Sequence, residues 1–532
     1  MAGVFAIPSA AGTADAQSDP IFDSSVFLLR SSMTVDRRGQ FSILLRSLRQ
    51  LEDPDLKPFY QELLLSENRT MRIHGILGLA EIDPKRQLDL TLFAEVTDAM
   101  TQSEILGAAL DGELLSVANA KQIMTWAKLD PDAKIVVATH LLEKKEFNDL
   151  ALLKEAAKLR EPTAAELEQI AKGQMPNGFK PSNPAKAAEE YREYHKSRQW
   201  LRRAVVGLLL MQLGDPAGEA LLDNLNKSAD ATRDDVQGLV LQTAFRFKFD
   251  RVAPWAARLS TQPGVSEKLG LLALRTAMRF GHKESMRVWT QQYNSAADVA
   301  DRMRLAVSLL NLAQYVEPGM FDPLTESTDP ITKQIGLAGK AVSSKAGIAE
   351  AVTALIKMDH PVSNAWALGY ANFHATPEDA RVIFTGLINA YEQGPARNKA
   401  QRLDEAMVAA QAFFEKDAAA ASQVLRPILN KETTDKSLVQ GIFIALIRAT
   451  KGEPHKVAQG LTRVYEEANS NGLKLLLLAK HGVPLTPQQL KDLGLLVRGG
   501  GALPDALRLQ AAWAYLKQTK QAAAAMEKAR KG

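Results

Sequence analysis

The chain contains no cysteine. Disulfides, thiolate metal sites and cysteine nucleophiles are therefore excluded. Aromatic residues are scarce, at 6%, while Ala and Leu are abundant, a mixture that favours helix over sheet. An excess of one charge is lacking too: 65 basic and 61 acidic residues leave a net +4. Dedicated nucleic-acid binders draw affinity from a basic excess, so this balance argues against that class. No apolar run reaches the roughly 20 residues of a membrane span, and none is expected. What the chain does have is apolar material, 46% of 532 residues. That suits several globular domains or one extended repeat array.

Catalytic signatures are also missing. The eight histidines include no pair spaced as ligands on one helical face, and no metal site or cofactor is expected. "GLAGKAVSS" (336–344) has too few residues before its Gly-Lys for a phosphate loop. It also carries Ala341 where a Mg²⁺-binding hydroxyl belongs. No nucleophile elbow occurs. The acidic pairs Glu189-Glu190 and Glu466-Glu467 point in different directions on a helix and read as solvated faces. No catalytic residue is assigned. The two Asn-x-Ser/Thr acceptor patterns, at Asn68 and Asn226, read as coincidence.

The most informative stretch is "RQWLRRAVVGLLLMQLGDPAGEALLDNL" (198–225). Leu201, Ala204, Val205, Leu208 and Met211 fall on one helical face, and Val206, Leu209, Leu210 and Leu213 fill much of the rest. A helix apolar on nearly all sides is covered by several neighbours. Gly214 suits a left-handed stop. Asp215 then caps a second helix, with Pro216 at its first position. The spacing predicts helix, tight turn, helix.

Stretches at 68–84, 265–289, 331–356, 364–388, 437–461 and 506–529 follow the same plan. Weaker starts lie near Thr101, Asp130, Asp230, Ala297, Pro395 and Ser470. Starts recur every roughly 30 to 40 residues, the period of helical solenoids, with a double gap between Asp130 and Arg198. Asp-Pro at Asp53, Asp83, Asp130, Asp215, Asp322 and Asp329 mostly marks turns or helix starts.

The apolar-Arg entry, buried Ala/Leu helix and Leu-Gly-Asp-Pro turn resemble the HEAT-repeat (armadillo-type) α-solenoid family, most strongly in 66–84 and 198–225. The last unit is similar to a tetratricopeptide repeat. The resemblance implies an all-α fold, a right-handed superhelix of antiparallel helix pairs. It also implies a ladder of turn Asp and helix Arg, with Arg72 and Arg202 at the Arg position and Lys in several other units.

The expected organisation is a leader (1–20), an N-terminal helical block (21–171), a Pro/Gly-rich loop or hinge (172–186), the main solenoid block (187–497), a Gly-rich joint (498–505) and a C-terminal helix pair with a basic tail (506–532). The leader holds a short apolar stretch and Ala14-Asp15-Ala16 before Gln17. This is similar to a signal-peptidase site, with cleavage between Ala16 and Gln17. It predicts a periplasmic or extracellular bacterial protein. No Lys or Arg precedes the apolar stretch, so a cytoplasmic leader is the competing reading.

The densest aromatic and basic cluster is Tyr191, Tyr194, His195, Arg198, Trp200, Arg202 and Arg203. Tyr, Trp and Arg dominate interaction hot spots. Tyr191, Tyr194, Arg198, Arg202 and Arg203 are therefore the candidate partner-contact patch. Packing of Trp200 on the preceding repeat, with the charges paired at the surface, is the plainer reading. The resemblance implies a non-enzymatic scaffold or adaptor binding protein partners along a concave surface. The alternatives are a HEAT-like enzyme or nucleic-acid binder, similar to bilin lyases or DNA glycosylases, or a self-assembling (homo-oligomeric) envelope protein.

Overall fold

Local capping chemistry sets where the helices begin and end. The computed structural model describes residues 19–34, 40–175, 179–226, 233–395, 398–499 and 503–531. Among these it is all-helical, with thirty α-helices arranged largely as consecutive pairs. Asp53, Asp130 and Asp329 cap their helices, each side chain accepting a backbone N–H, with proline in the first turn. Asp83 instead closes a turn after the helix Arg69–Ile82. Asp322 lies inside its short helix rather than at the cap.

The 198–225 stretch is resolved as expected. A 27-residue helix, Ala187–Leu213, ends at Gly214 with φ 84°. Asp215 Oδ1 accepts the Ala217 N–H at 2.9 Å, and Pro216–Asn226 follows. The two helices touch backbone to backbone: a β-carbon at Gly218 would lie 2.5 Å from the Gly207 carbonyl oxygen.

The first helices of the pairs form a continuous layer. Ala99–Asp111 packs on Pro131–Glu143, then come Ala187–Leu213, Arg233–Phe247 and Glu267–Arg279. These helices are buried over much of their circumference. In Ala187–Leu213, Ala204, Val206, Leu208, Leu209 and Leu210 are all buried.

Buried carboxamides help to tie successive units together. Gln102 donates to the Val96 carbonyl at 2.6 Å and accepts from the Asp130 N–H at 2.9 Å. Gln199 makes the same two kinds of bond with the Arg160 backbone, both 2.6 Å. One donor and one acceptor mimic a peptide group, so loop backbone is satisfied away from water. Arg72, expected in an Asp–Arg ladder, donates to the carbonyls of Ser66 and Glu67 just before its own helix. Arg202 does reach a neighbouring unit.

The chain divides into two compact units. One comprises Glu52–Gln423 with Arg448–Gly452; the other comprises the described residues up to Leu51 with Val424–Ile447 and the C-terminal region from Glu453. In the second unit the first and last described helices pack together. The Tyr515 hydroxyl donates to Asp19 at 2.9 Å, Lys528 pairs with Asp23 at 2.7 Å, and Gln510 donates to the Ser47 carbonyl at 2.8 Å. Residues 21–34 and 40–51 thus belong with the C-terminal pairs. The segment 172–186 lies inside one unit and marks no boundary between units. Phe179 is buried against Tyr191, and the Ser182 and Asn183 N–H groups donate to Glu190.

Candidate binding groove

A cavity of about 390 Å³ lies on the face of the first-helix layer, crossing four of its helices: Ala99–Asp111, Pro131–Glu143, Ala187–Leu213 and Arg233–Phe247. Leu110, Ile135, Leu201, Val205, Leu239 and Phe247 supply apolar walls, with Thr139 and Thr243 among them. Gly107 also lines it, and a β-carbon there would meet nothing within 4 Å. Along the rim, Arg246 pairs with Asp111.

The polar wall is a three-residue ion network. Asp132, in the first turn of Pro131–Glu143, accepts from Arg198 on one oxygen and from Arg202 at 3.0 Å on the other. Arg202 Nε also donates to the Ala156 carbonyl at 3.1 Å. Burial works against the Arg198 charge, yet Asp132, Tyr194 and Asp130 together hold its pKa above the usual value. Nearby Asp130 is pushed up, first by burial and then by repulsion from Asp132. Two guanidiniums thus share one carboxylate, leaving a positive surplus beside an apolar floor. The same three residues line a second cavity of about 470 Å³, which also meets Glu155, Arg160, Glu166 and His195. His140, on the groove's lining, is depressed by burial and then by Lys144.

The residues of the expected contact patch separate. Arg198 and Arg202 form the groove wall. Arg203 stacks on Trp200, 4.9 Å from guanidinium carbon to ring centroid, and burial lowers its pKa. Tyr194 is half-buried, 5.3 Å from the Phe179 ring. Tyr191 is a correction: it is fully buried and its hydroxyl donates to Glu166 at 3.0 Å. It cannot touch a partner, because Phe179 of the preceding loop covers it. Ala16 and Gln17 lie outside the described residues, as do Lys227 and Ser228 of the second acceptor pattern.

Composition missed Asp132, Gly107 and Arg246. Part of the signal for Asp132 was available, since an acidic residue two places after the capping Asp130 sits in a helix's first turn, where the macrodipole favours a carboxylate. Gly336 and Lys340 lie within the helix Pro330–Ser344, with Lys340 paired to Asp322 at 2.7 Å. Among the described residues no three His, Asp or Glu side chains are placed to hold a metal, and no helix is long and apolar enough to cross a membrane. No family model, curated protein or solved structure matches the chain.

Proposed function

We propose that the chain is a non-enzymatic, HEAT-like helical-repeat scaffold that binds an extended protein segment along the face of its first-helix layer. The observation that carries this reading is a groove continuous across four successive helices, apolar along its walls and net positive at one side. An extended segment offering apolar side chains and a carboxylate fits it. Apolar anchors would supply affinity and the surplus guanidinium orientation. Repeat proteins use such faces because many modest contacts are held in register by rigid helix pairs.

Selection of displayed random peptides on the full chain tests the reading. Enrichment of peptides that combine apolar and acidic residues, with loss of their binding to a Gly107→Phe variant, is expected. Absence of enrichment, or equal binding by the variant, would refute it. We further propose export to the bacterial envelope on the strength of Ala14-Asp15-Ala16. N-terminal sequencing of native protein, with a mature end at Gln17, is the check.

A further inference from the structure

The first-helix layer carries two further guanidiniums that nothing neutralises. Arg275 and Arg279 lie one turn apart on Glu267–Arg279, where side chains four residues apart are neighbours and like charges repel. Arg275 Nε is buried and has no hydrogen-bond partner. Arg279 is clamped between two rings, its guanidinium carbon 3.7 Å from the Phe245 centroid and 4.7 Å from that of Tyr315. Burial lowers the pKa of both; Tyr315 opposes it at Arg279, and no carboxylate acts on either among the described residues. Elsewhere on the layer Arg198, Arg202 and Arg246 each pair with an aspartate. A part-buried charge without a counter-ion is unfavourable, so the missing group here is an anion.

Both arginines face the same way as the groove. In Ala187–Leu213, Gly207 turns toward Leu222 of the second helix. The groove arginines Arg202 and Arg198 stand five and nine residues from that glycine, on roughly the opposite side of the helix. In Glu267–Arg279, Gly270 turns toward the Ser260 carbonyl of Ala253–Ser260, and Arg275 and Arg279 stand at the same two offsets.

The pair also adjoins the groove. Arg279 reaches back onto Phe245 of Arg233–Phe247, the helix whose Leu239, Thr243 and Phe247 line the groove. Arg275 and Arg279 therefore occupy the next furrow along the layer, one helix further on. Neighbouring helices pack about 8–10 Å apart, and an extended chain advances about 3.3 Å per residue, so about three residues span the step. A guanidinium stacked flat on a ring keeps its N–H edge free to donate, an arrangement that suits a carboxylate.

We infer that Arg275 and Arg279 receive an acidic side chain of the extended segment, about three residues beyond the apolar side chains that fill the groove. The inference rests on the peptide reading and adds a sequence requirement to it. The preferred segment is apolar at its centre, with one acid toward Arg198 and Arg202 and a second at a fixed spacing on the other side.

Peptide selection on the full chain and on the Arg275→Gln/Arg279→Gln double variant tests it. On the wild type, Asp or Glu should be enriched about three positions beyond the apolar run. On the double variant that preference should vanish while the apolar run persists. Gly107→Phe should lose the apolar run itself, so failure of the groove reading and failure of this inference leave different patterns. For one enriched peptide, Arg275→Gln should weaken binding by about tenfold, but by about twofold or less once the peptide's acid is replaced by its amide. A further readout needs no peptide: since the Arg275 charge lacks a counter-ion, Arg275→Leu should raise the urea midpoint. An unchanged acidic preference on the double variant, an apolar run with no acid at that spacing, or a lowered midpoint in Arg275→Leu would overturn the inference. No enrichment at all on the wild type would overturn it together with the groove reading.

Discussion

The guanidinium of Arg202 reaches 70 residues back along the chain to the carboxylate of Asp132, at 3.0 Å. Arg198, one helical turn earlier, holds the other oxygen of the same group. Both arginines and the aspartate are mostly buried, with 13–22% of each side chain exposed. Removing the shared carboxylate leaves two guanidiniums with one partner fewer each. Asp132→Ala should destabilise the chain by about 1–3 kcal/mol in urea unfolding. Arg202→Ala should cost less in the Asp132→Ala background than alone. Strict additivity would show that the two side chains do not interact.

Two helical glycines should respond in opposite directions. Gly107 faces open space, so Gly107→Ala should gain up to about 1 kcal/mol from helix propensity. Gly218 faces the backbone of the partner helix, with a β-carbon only 2.5 Å from the Met211 nitrogen. Gly218→Ala should lose about 1–3 kcal/mol through forced separation. Thermal or urea unfolding gives both signs. The same sign for both would contradict the packing described.

These contrasts show what was legible in the sequence. The turn at Gly214-Asp215-Pro216 is a local device, and local chemistry can be read from neighbours in the chain. The Asp132 network joins residues 66 and 70 positions apart, and the contact of Tyr515 with Asp19 spans 496; no periodicity encodes either. Tyr191 was misread although its signal was present. Ala187, Tyr191, Tyr194 and Arg198 recur at helical spacing, and such a stripe faces a neighbouring segment, here Phe179. The groove at Gly107 carries no sequence signal, because a cavity is a place where side chains are absent.

Arg402 and Glu405 form an ion pair at 2.5 Å with 2% and 8% of their side chains exposed. Asn364, fully buried, donates to the same carboxylate at 3.0 Å. Arg402 also pairs with Asp359 at 2.5 Å, so Glu405→Ala leaves the charge one partner but strands the buried Asn364 donor, and should cost about 2–4 kcal/mol. A loss below about 1 kcal/mol, the level of a surface pair, would contradict the burial.

The stacked imidazoles of His455 and His481, with centroids 4.8 Å apart, should make the chain acid-sensitive. Burial, then His455 and Lys480, depress His481 to about 4, while Glu453 opposes weakly. A folded-state value below the unfolded one means that the unfolded chain binds the proton first. This group's stabilising contribution is therefore complete above about pH 6.5 and is lost as pH falls toward 4. Between pH 7 and pH 4.5 the urea midpoint of His481→Gln should fall less than that of the wild type. Equal falls would show that His481 does not titrate as described.

The most direct measurement is the affinity of a selected acidic, apolar peptide for the wild type and for Gly107→Phe. A loss of about a hundredfold or more, with the melting temperature of the variant unchanged or raised, is the expected result. Undiminished affinity in a folded variant would place the partner elsewhere and contradict the proposed groove.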